Sequence, residues 1–439
     1  MPKAPEPSIQ EMVALARAAA EEAADYQERF AAEDTEARKI VDIMEHFLRA
    51  KGRVVYGGAA INAHMPSDKK FYDPRLNLPD YDFMTPDPLQ DCADLIVTFQ
   101  SEGFTDVEAK FGIHEGTYKI FVNFRSAADI TYMPPEIYDR VVADSHSIEG
   151  IHYASPNYLR MNMYLELSRP AGMVSRWEKV YQRLLLLNEA HPIKAGHCTA
   201  APLKALGSSA SGRRAASATA IHDRIVEAGI EAEAVFLSGA SYLANTPPSP
   251  EEVVILMTPR RHEVARAIAA AVKTPTLRFQ EFPAQGELLP ARTELHARTL
   301  EGPIVAVVFD TVACHSYTTL PEPAGYRLGS IDLLIQMYYA FHFAELNNLL
   351  EVRLMCVIQE LIDMEYARRR DAAAVGGTPP REVFPLECIG HQPSMPELKK
   401  AHRDRVREKR KELEKALRLQ ESFTVRPQPL RRTRKVARR

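Results

Sequence analysis

The chain is poor in cysteine, has no long apolar run and contains a single tryptophan. Its five cysteines, among 439 residues, are scattered and show no CxxC spacing. This pattern predicts free thiols in a reducing compartment and argues against a disulfide framework or a zinc site. No apolar stretch is long enough to span a bilayer, and the start MPKAPEPSIQ has no apolar core typical of a signal peptide. We therefore expect a soluble protein with no membrane contact.

The net charge of −3 conceals a strong asymmetry along the chain. Residues 399–439 contain 17 Lys and Arg against five Asp and Glu, or +12, whereas the remainder contains 38 against 53, or −15. Basic segments gain affinity for nucleic acid by releasing its counterions. This end of the chain is therefore either a phosphate-binding arm or a solvated tail, and its RRTRKVARR run has no aromatic ring on which bases could stack.

A glycine pair after a short predicted strand is the first candidate for a binding site. Residues 53–56 (RVVY) are typical of a strand, which leads into Gly57 and Gly58 and then into the helical segment AAINAHM. Backbone amides and a helix N-terminus then face one point. Such a corner suits a triphosphate.

Two carboxylates follow in the segment DYDFM. Asp80 and Asp82 are two residues apart, and such residues point to the same face of a strand. Like charges this close remain ionised together only when cations lie between them, and hard divalent ions with oxygen ligands meet that need. A solvated strand end is the alternative for an isolated pair. The glycine corner, the apolar Phe83 and Met84, and a third isolated acid, Asp129 in AADITYM, favour the metal site.

Three basic side chains recur at helical spacing in SRWEKVYQRLLLLN. Arg176, Lys179 and Arg183 are three and four residues apart, which places them on one helix face opposite Val180 and Leu184. A solvated helix face is the ordinary explanation of such a stripe. Its position in the fold decides whether it contacts a substrate.

Together these motifs resemble a known enzyme family. A strand ending in Gly-Gly, then Asp-x-Asp, then an acid on a neighbouring strand resembles the nucleotidyltransferase superfamily of DNA polymerase beta. The segments YGGAAIN, DYDFMTPD, ADITYMP and SRWEKVYQRLLLLN are similar to the poly(A) polymerase catalytic subunits of poxviruses and other large DNA viruses, over residues 53–188. The 21 residues between Gly58 and Asp80 are a departure, since the wider superfamily usually has a shorter interval there.

The resemblance implies a template-independent polynucleotide adenylyltransferase that adds AMP from ATP to RNA 3′ ends with two Mg²⁺ or Mn²⁺ ions. Asp80 and Asp82 would ligate both ions. Asp129 would complete the site of the ion that binds the primer 3′-hydroxyl. The amides of Gly57 and Gly58 would hold the triphosphate.

The same resemblance turns the basic stripe into a candidate site for triphosphate or primer contacts, with Lys119 as a further candidate. Asn157 and Tyr158 are possible purine contacts. Processive synthesis implies an additional grip on RNA, from the basic C-terminus, a homodimer or a processivity subunit. A viral origin implies the host cytoplasm or the virion as the location.

The second half of the chain repeats the first. AVFLSGASYLAN resembles VVYGGAAINAH, and EEVVILMTP aligns with LPDYDFMTP. The interval from the methionine of MTP to the next Met-Tyr pair is 79 residues in the first copy and 80 in the second. The alternative is a chance similarity of amphipathic segments. In this alignment Val253 and Ile255 replace the two acids of the DxD pair, Cys314 stands opposite Asp129, and Asp310 is the one strand acid.

We therefore expect an α+β fold, with a catalytic nucleotidyltransferase domain built on a mixed sheet flanked by helices and a second, degenerate domain of the same type. The expected division is an N-terminal helical segment (1–52), the catalytic domain (53–192), a linker (193–217), the degenerate domain (218–370) and a basic C-terminal segment (371–439). The N-terminal segment should end in a helix that begins at Asp34 and is stopped by Lys51-Gly52, with one apolar face formed by Ile40, Ile43, Met44, Phe47 and Leu48. A further helix should begin at Ser155, with proline in its first turn.

Two other functions remain open from the sequence. A uridylyltransferase or an oligonucleotide or cyclic-dinucleotide synthase would use the same motifs, because adenine is chosen here through the resemblance alone. A non-catalytic RNA-binding scaffold could retain the fold, although the three acids argue against it.

Overall fold

The protein is described here from a computed structural model, over residues 8–72, 79–194, 212–246, 248, 252–286, 288–320, 325–346, 354–377 and 382–423. Most of the expected linker 193–217 and the end of the basic segment, 424–439, lie outside these residues. The chain divides into two compact units, of which one comprises Met1–Lys110 and Gly116–Gln392, and the other Phe111–Glu115 and Pro393–Arg439.

Two helices open the chain, α1 (Ile9–Glu33) and α2 (Thr35–Lys51). The Asp34 side chain caps α2 by accepting hydrogen bonds from two backbone N–H groups of its first turn, and Gly52 ends the helix in the left-handed region at φ 61°. Both boundaries were predicted. The apolar face of α2 is buried as expected and consists of Ile40, Ile43, Met44, Phe47 and Leu48.

The first half of the chain forms a seven-stranded mixed sheet, with the spatial order β3-β4-β5-β2-β1-β7-β6. Its strands are β1 (Val54–Tyr56), β2 (Tyr81–Thr85), β3 (Val107–Phe111), β4 (Thr117–Val122), β5 (Arg125–Tyr132), β6 (His146–Ile148) and β7 (Ile151–Tyr153). β2 runs antiparallel to β1 and parallel to β5. The central strands are apolar on their buried positions, so the core of this half lies against the sheet.

Five helices accompany the first sheet. They are α3 (Gly57–His64), α4 (Pro88–Ser101), α5 (Pro135–Asp144), α6 (Pro156–Leu167) and α7 (Trp177–Ala190), with one turn of 3-10 helix at Val174–Arg176 before α7. Ser155 caps α6 by accepting a hydrogen bond from the Tyr158 N–H, with proline in the first turn, as predicted.

The second half forms an eight-stranded sheet in the order β10-β11-β12-β9-β8-β14-β13-β15. Its strands are β8 (Val235–Phe236), β9 (Val254–Met257), β10 (Leu277–Phe282), β11 (Arg292–Ala297), β12 (Ile304–Phe309), β13 (His315–Thr319), β14 (Arg327–Gly329) and β15 (Cys388–Ile389). Its helices are α8 (Gly212–Glu231), α9 (Gly239–Ala244), α10 (Arg261–Val272), α11 (Ile331–Phe343) and α12 (Leu354–Val375). Helix α8 begins inside the stretch that was expected to be a linker.

The two sheets share one strand order, which confirms the internal repeat. Reading from β3 and from β10, each strand of the first sheet has a counterpart seven strands later in the chain, and β15 is added at one edge. In the first sheet Asp82 pairs in register with Asp129, and in the second sheet Ile255 pairs with Val307. The counterpart of Asp129 is therefore Val307, and the alignment of Cys314 with it was wrong.

That misplacement has a simple cause. The alignment matched the apolar run of β12 (IVAVVF) to the apolar run of β4, whereas the strand order makes β5, which carries polar residues, its counterpart. Asp310 also falls outside a strand, directly after β12, whereas Glu281 and Glu294 lie on β10 and β11. The description of Asp310 as the one strand acid was therefore also wrong.

Cys314 and Cys388 form a disulfide, with Cα atoms 5.2 Å apart. This contradicts the prediction of free thiols, and the reducing compartment inferred from it loses its basis. The two cysteines are 74 positions apart and come together because β13 and β15 pair antiparallel, with Ser316 opposite Cys388. Cys356 is also disulfide-bonded, while Cys92 is a buried free thiol. Sequence spacing carried no sign of the pairing of Cys314 with Cys388.

The smaller unit contains α13 (Met395–Phe423), a charged helix. On one side, its Arg405 guanidinium donates to the Ile113 carbonyl at 2.7 Å, and a ring nitrogen of His402 lies 3.1 Å from the Phe111 carbonyl. Several of its cations pair with acids three or four residues away, as Arg410 does with Glu414. Within the described residues, no helix combines the length and apolarity that crossing a membrane requires.

Candidate active site

The glycine corner forms where β1 ends and α3 begins. Gly57 is the first residue of α3 and has a φ of +72°, which L side chains rarely adopt. A Cβ at this position would lie 2.6 Å from Asp82 Oδ2, which is too close. Glycine is therefore required here for two reasons, the backbone conformation and the approach of the Asp82 carboxylate.

The structure brings the three acids to one edge of the first sheet. Asp82 lies on β2 and pairs in register with Asp129 on the adjacent parallel strand β5. Register partners on neighbouring strands point to the same face of a sheet, so the two carboxylates lie side by side. Asp80 immediately precedes β2 and, two residues before Asp82, points to that face as well. Tyr56, on β1, is the register partner of Asp82 on the other side.

The acids perturb one another. Burial, followed by the charges of Asp80 and Asp129, raises the pKa of Asp82 to about 7 against the opposing effect of Lys119. Partial burial of its carboxyl group, followed by the charge of Asp129, also raises the pKa of Asp80. A cluster of carboxylates that resists ionisation is a site with a strong preference for cations.

Lys119 supplies one such cation. It is the register partner of Asp129 across the antiparallel strands β4 and β5, and its ammonium group pairs with Asp129 Oδ2. The other oxygen, Asp129 Oδ1, is buried and has no hydrogen-bond partner among the residues that the structure describes. Because a buried carboxylate oxygen is costly to leave unpaired, Oδ1 is an open acceptor on the side of the site that Lys119 does not serve.

The donor set suits a divalent cation. Within the described residues, no group of three or more His, Cys, Asp or Glu side chains is already arranged to hold a metal ion. The chemistry of the site nevertheless fits one, since the groups are hard oxygen ligands, one oxygen of Asp129 is orphaned, and Gly57 leaves room beside Asp82. Lys119 pairs with the second oxygen of Asp129, Oδ2, so a cation bound at Oδ1 would share this carboxylate with the ammonium group.

The three side chains of the basic stripe, at α7 and just before it, have different neighbours. Arg183 reaches the glycine corner, where its Nη1 lies 3.0 Å from the position that a Cβ of Gly58 would occupy. Arg176 pairs with Glu166 at 2.9 Å, and its charge also lowers the pKa of Asp82. Lys179 is exposed. Opposite the stripe, Val180, Leu184 and Leu187 are buried, as the spacing indicated.

Several residues at the site were not found from the sequence. The Tyr56 hydroxyl lies 2.9 Å from Thr131 Oγ1 across the acid-bearing face, and burial followed by the charge of Asp82 raises the pKa of this tyrosine. Tyr72 accepts a hydrogen bond from Arg183. Tyr56 could have been found because it precedes the glycine pair, whereas nothing in the sequence marks Tyr72.

The two possible purine contacts are occupied by internal packing. Asn157 Oδ1 accepts a hydrogen bond from Arg160 at 2.9 Å and another from the Tyr339 hydroxyl at 3.4 Å. Tyr158 is buried and its ring packs edge-on against Phe343, 5.3 Å between centroids. Both side chains therefore join α6 to α11 in this structure.

In the second half the equivalent corner is closed. Ser238 and Gly239 occupy the place of the glycine pair, and the Gly239 N–H donates to the Tyr338 hydroxyl at 2.5 Å. A Cβ at Gly239 would meet Tyr338 and Val357 at 2.8 Å. Aliphatic side chains stand at all three acid positions. This half therefore retains the fold of the first without its charges or its open amide corner.

Comparison with known proteins agrees with this site. The sequence profile described as "Poly(A) polymerase catalytic subunit" matches residues 42–173, which include the glycine corner and all three acids. Residues 42–173 match the poly(A) polymerase catalytic subunit family. The resemblance found from the motifs is thus confirmed over this segment of the chain.

Two curated relatives of the family are viral. A protein of Acanthamoeba polyphaga mimivirus, described as a candidate poly(A) polymerase catalytic subunit, is 34% identical over 164 residues, which is 36% of this chain and 27% of the relative. A protein of the same description from African swine fever virus (isolate Tick/Malawi/Lil 20-1/1983) is 27% identical over 165 residues, or 36% of this chain and 34% of the relative. The chain covers about a third or less of these relatives.

The fold extends beyond the matching segment. The crystal structure of the Megavirus polyadenylate synthase superposes on 94% of this chain and 86% of its own, with a TM-score of 0.75 at 19% identity. The chain therefore has the two-domain, nucleotidyltransferase-like α+β fold that the sequence predicted.

Proposed function

We propose that the protein is a polynucleotide adenylyltransferase that transfers AMP from ATP to RNA 3′ ends without a template. The main support is the pairing of Asp82 with Asp129 on adjacent strands. Asp82 also lies so close to the glycine corner that position 57 must be glycine. The family match over residues 42–173 supports the choice of adenine.

In the proposed reaction, the primer 3′-oxygen bonds to the α-phosphorus of ATP. The bond from that phosphorus to the oxygen that bridges the α- and β-phosphates breaks. Pyrophosphate leaves and the hydroxyl proton passes to solvent. Positioning and charge stabilisation supply most of the rate in such transfers. The chain therefore needs groups that align the two substrates, and no covalent nucleophile.

The three acids would hold the cations of the site, Asp80 and Asp82 serving both ions and Asp129 the ion on the primer side. Divalent cations bound there would lower the pKa of the 3′-hydroxyl and neutralise charge on the departing pyrophosphate. Asp129 Oδ1 is the open acceptor for this purpose. Lys119 would hold the Asp129 side chain in place before substrate arrives.

The glycine corner would bind the phosphates that leave. The first amides of α3 point along the helix axis and attract anions, because they have no partner within the helix. Arg183 adds a guanidinium at the same corner. Arg176, paired with Glu166, could exchange that partner for a phosphate or the primer backbone.

The degenerate half would serve as a supporting surface. Its amide corner is closed by Tyr338, and its acids are replaced. An additional grip on RNA would come from the basic C-terminal residues or from another protein chain, although part of the charge on α13 is already compensated within that helix.

Primer extension tests the proposal. The purified protein is incubated with a labelled RNA primer, Mg²⁺ or Mn²⁺, and each nucleoside triphosphate in turn. A ladder that grows with ATP alone supports the assignment. Growth with UTP, or a product made without primer, indicates another nucleotidyltransferase. If no nucleotide is incorporated, the fold serves a non-catalytic function.

A further inference from the structure

Within the long interval between Gly58 and Asp80, residues 71 and 72 lie against the glycine corner. The side chain of Asn62, a buried residue of α3, holds the backbone of these two residues. Its Oδ1 accepts hydrogen bonds from the N–H groups of Phe71 and Tyr72 at 2.9 and 3.0 Å, and its Nδ2 donates to the Tyr72 carbonyl at 3.1 Å. Three hydrogen bonds to one side chain fix the backbone of both aromatic residues relative to α3.

The same two residues contact the basic stripe of α7. Arg183 Nη2 donates to the Tyr72 hydroxyl at 2.6 Å, and the guanidinium lies 4.5 Å from the centroid of the Phe71 ring. An ion pair between Lys69 and Glu189 adds a second link from this segment to α7. The segment thus connects α3, which forms the glycine corner, to the helix that bears Arg183.

These contacts place Arg183 at the glycine corner, with one guanidinium nitrogen turned toward Gly58. The Tyr72 hydroxyl and Arg183 Nη1 lie 3.3 and 3.0 Å from the Cβ position of Gly58. Nη2 is engaged by Tyr72, while Nη1 is the guanidinium nitrogen that faces Gly58. An arginine held by a hydroxyl and an aromatic face loses rotameric freedom before a ligand arrives, so less is lost when it binds a phosphate.

We propose that Phe71 and Tyr72 are positioning residues that hold Arg183 over the glycine corner, where Arg183 binds the β- and γ-phosphates of the incoming nucleotide. The inference rests on the proposed nucleotidyl transfer and assigns a role to the interval that departs from the superfamily pattern. Tyr72 acts through Arg183 and does not touch the reacting atoms.

The hydroxyl is removed by Tyr72→Phe, which keeps the ring. Binding of ATP, ADP and AMP, each with Mg²⁺, is measured by titration calorimetry, together with KM and kcat for ATP in primer extension. Loss of a hydrogen bond to a charged group predicts roughly tenfold weaker ATP binding. KM for ATP should rise by a similar factor, with kcat within about twofold and AMP binding unchanged. Tyr366→Phe, on the exposed side of α12, is the matched control and should change nothing.

A second variant separates positioning from simple attachment of the segment. Arg183→Met should weaken ATP binding more than Tyr72→Phe does, and the tyrosine change should have no further effect in the Arg183→Met background, because its effect passes through the guanidinium. Unchanged ATP binding in Tyr72→Phe, or additive effects in the double variant, would overturn the inference.

Failure of the inference can be told apart from failure of the proposed function. Wild-type protein that binds and uses ATP while Tyr72→Phe behaves identically contradicts the role of Tyr72 alone. Wild-type protein that binds no nucleoside triphosphate contradicts both. A lowered melting temperature for Tyr72→Phe with unchanged ATP affinity identifies the contact as a structural link, which also overturns the inference.

Discussion

Lys119 and Asp129 face each other across two antiparallel strands, and their charged groups form an ion pair at the edge of the acid cluster. The protein thus supplies one cation of its own to three carboxylates. This pairing engages Asp129 Oδ2 on the face that carries Asp82, and the ammonium charge opposes the binding of a metal ion at the other oxygen of the same carboxylate.

Lys119→Met should destabilise the metal-free protein and increase its response to metal. Since the Lys119 side chain is 37% exposed, its loss should lower the free energy of unfolding by about 1 kcal/mol in EDTA. Adding Mn²⁺ should raise the melting temperature more than it does in wild type, because the charge of the ammonium group no longer opposes the metal at Asp129. An equal or smaller Mn²⁺ effect in the variant would show that Lys119 and metal do not compete.

Asp82 should make the metal-free protein less stable as pH rises. Its pKa is raised from an ordinary value of 3.8 to about 7, so the folded state holds a proton that the unfolded state has already lost. This contribution is present below about pH 4 and is lost as pH rises through about 7. Thermal melting in EDTA should show it as a slope that Asp82→Asn reduces but does not abolish, since burial also raises the pKa of Glu365 to about 7. The exposed Asp42→Asn control on α2 should keep the wild-type slope.

The disulfide should stabilise the second half of the chain. Cys314 and Cys388 close a loop across 74 positions, for which a cross-link contributes about 2–4 kcal/mol. The double variant Cys314→Ser with Cys388→Ser should melt at a lower temperature than wild type, and the single Cys314→Ser variant should match it. Thiol titration of the denatured wild-type protein supplies the check, since finding five free thiols would show that neither bridge forms.

The elements that the sequence predicted well are those with local signals. Asp34 and Gly52 mark the ends of α2, and Ser155 marks the start of α6, because capping depends on neighbouring backbone groups. The pairing of β2 with β5 came through the resemblance. Periodicity cannot say which strands are neighbours, since register depends on residues far apart in the chain.

The features that were missed all depend on contacts between distant segments. Tyr72 reaches Arg183 across 111 positions, and Cys314 reaches Cys388 across 74. The alignment of Cys314 with Asp129 failed because the apolar strands of the repeat allow several registers by pattern alone. Strand pairing selected Val307.

The most direct test compares two acid-to-amide changes, one in each half of the chain. Asp129→Asn removes a carboxylate of the proposed site, and Asp310→Asn changes an acid beside the equivalent strand of the second half, where Asp310 caps the Thr311 N–H. ATP-dependent primer extension should fall by at least about a hundredfold in Asp129→Asn and stay within about twofold of wild type in Asp310→Asn, with both variants folded. Normal extension by folded Asp129→Asn protein would contradict the account.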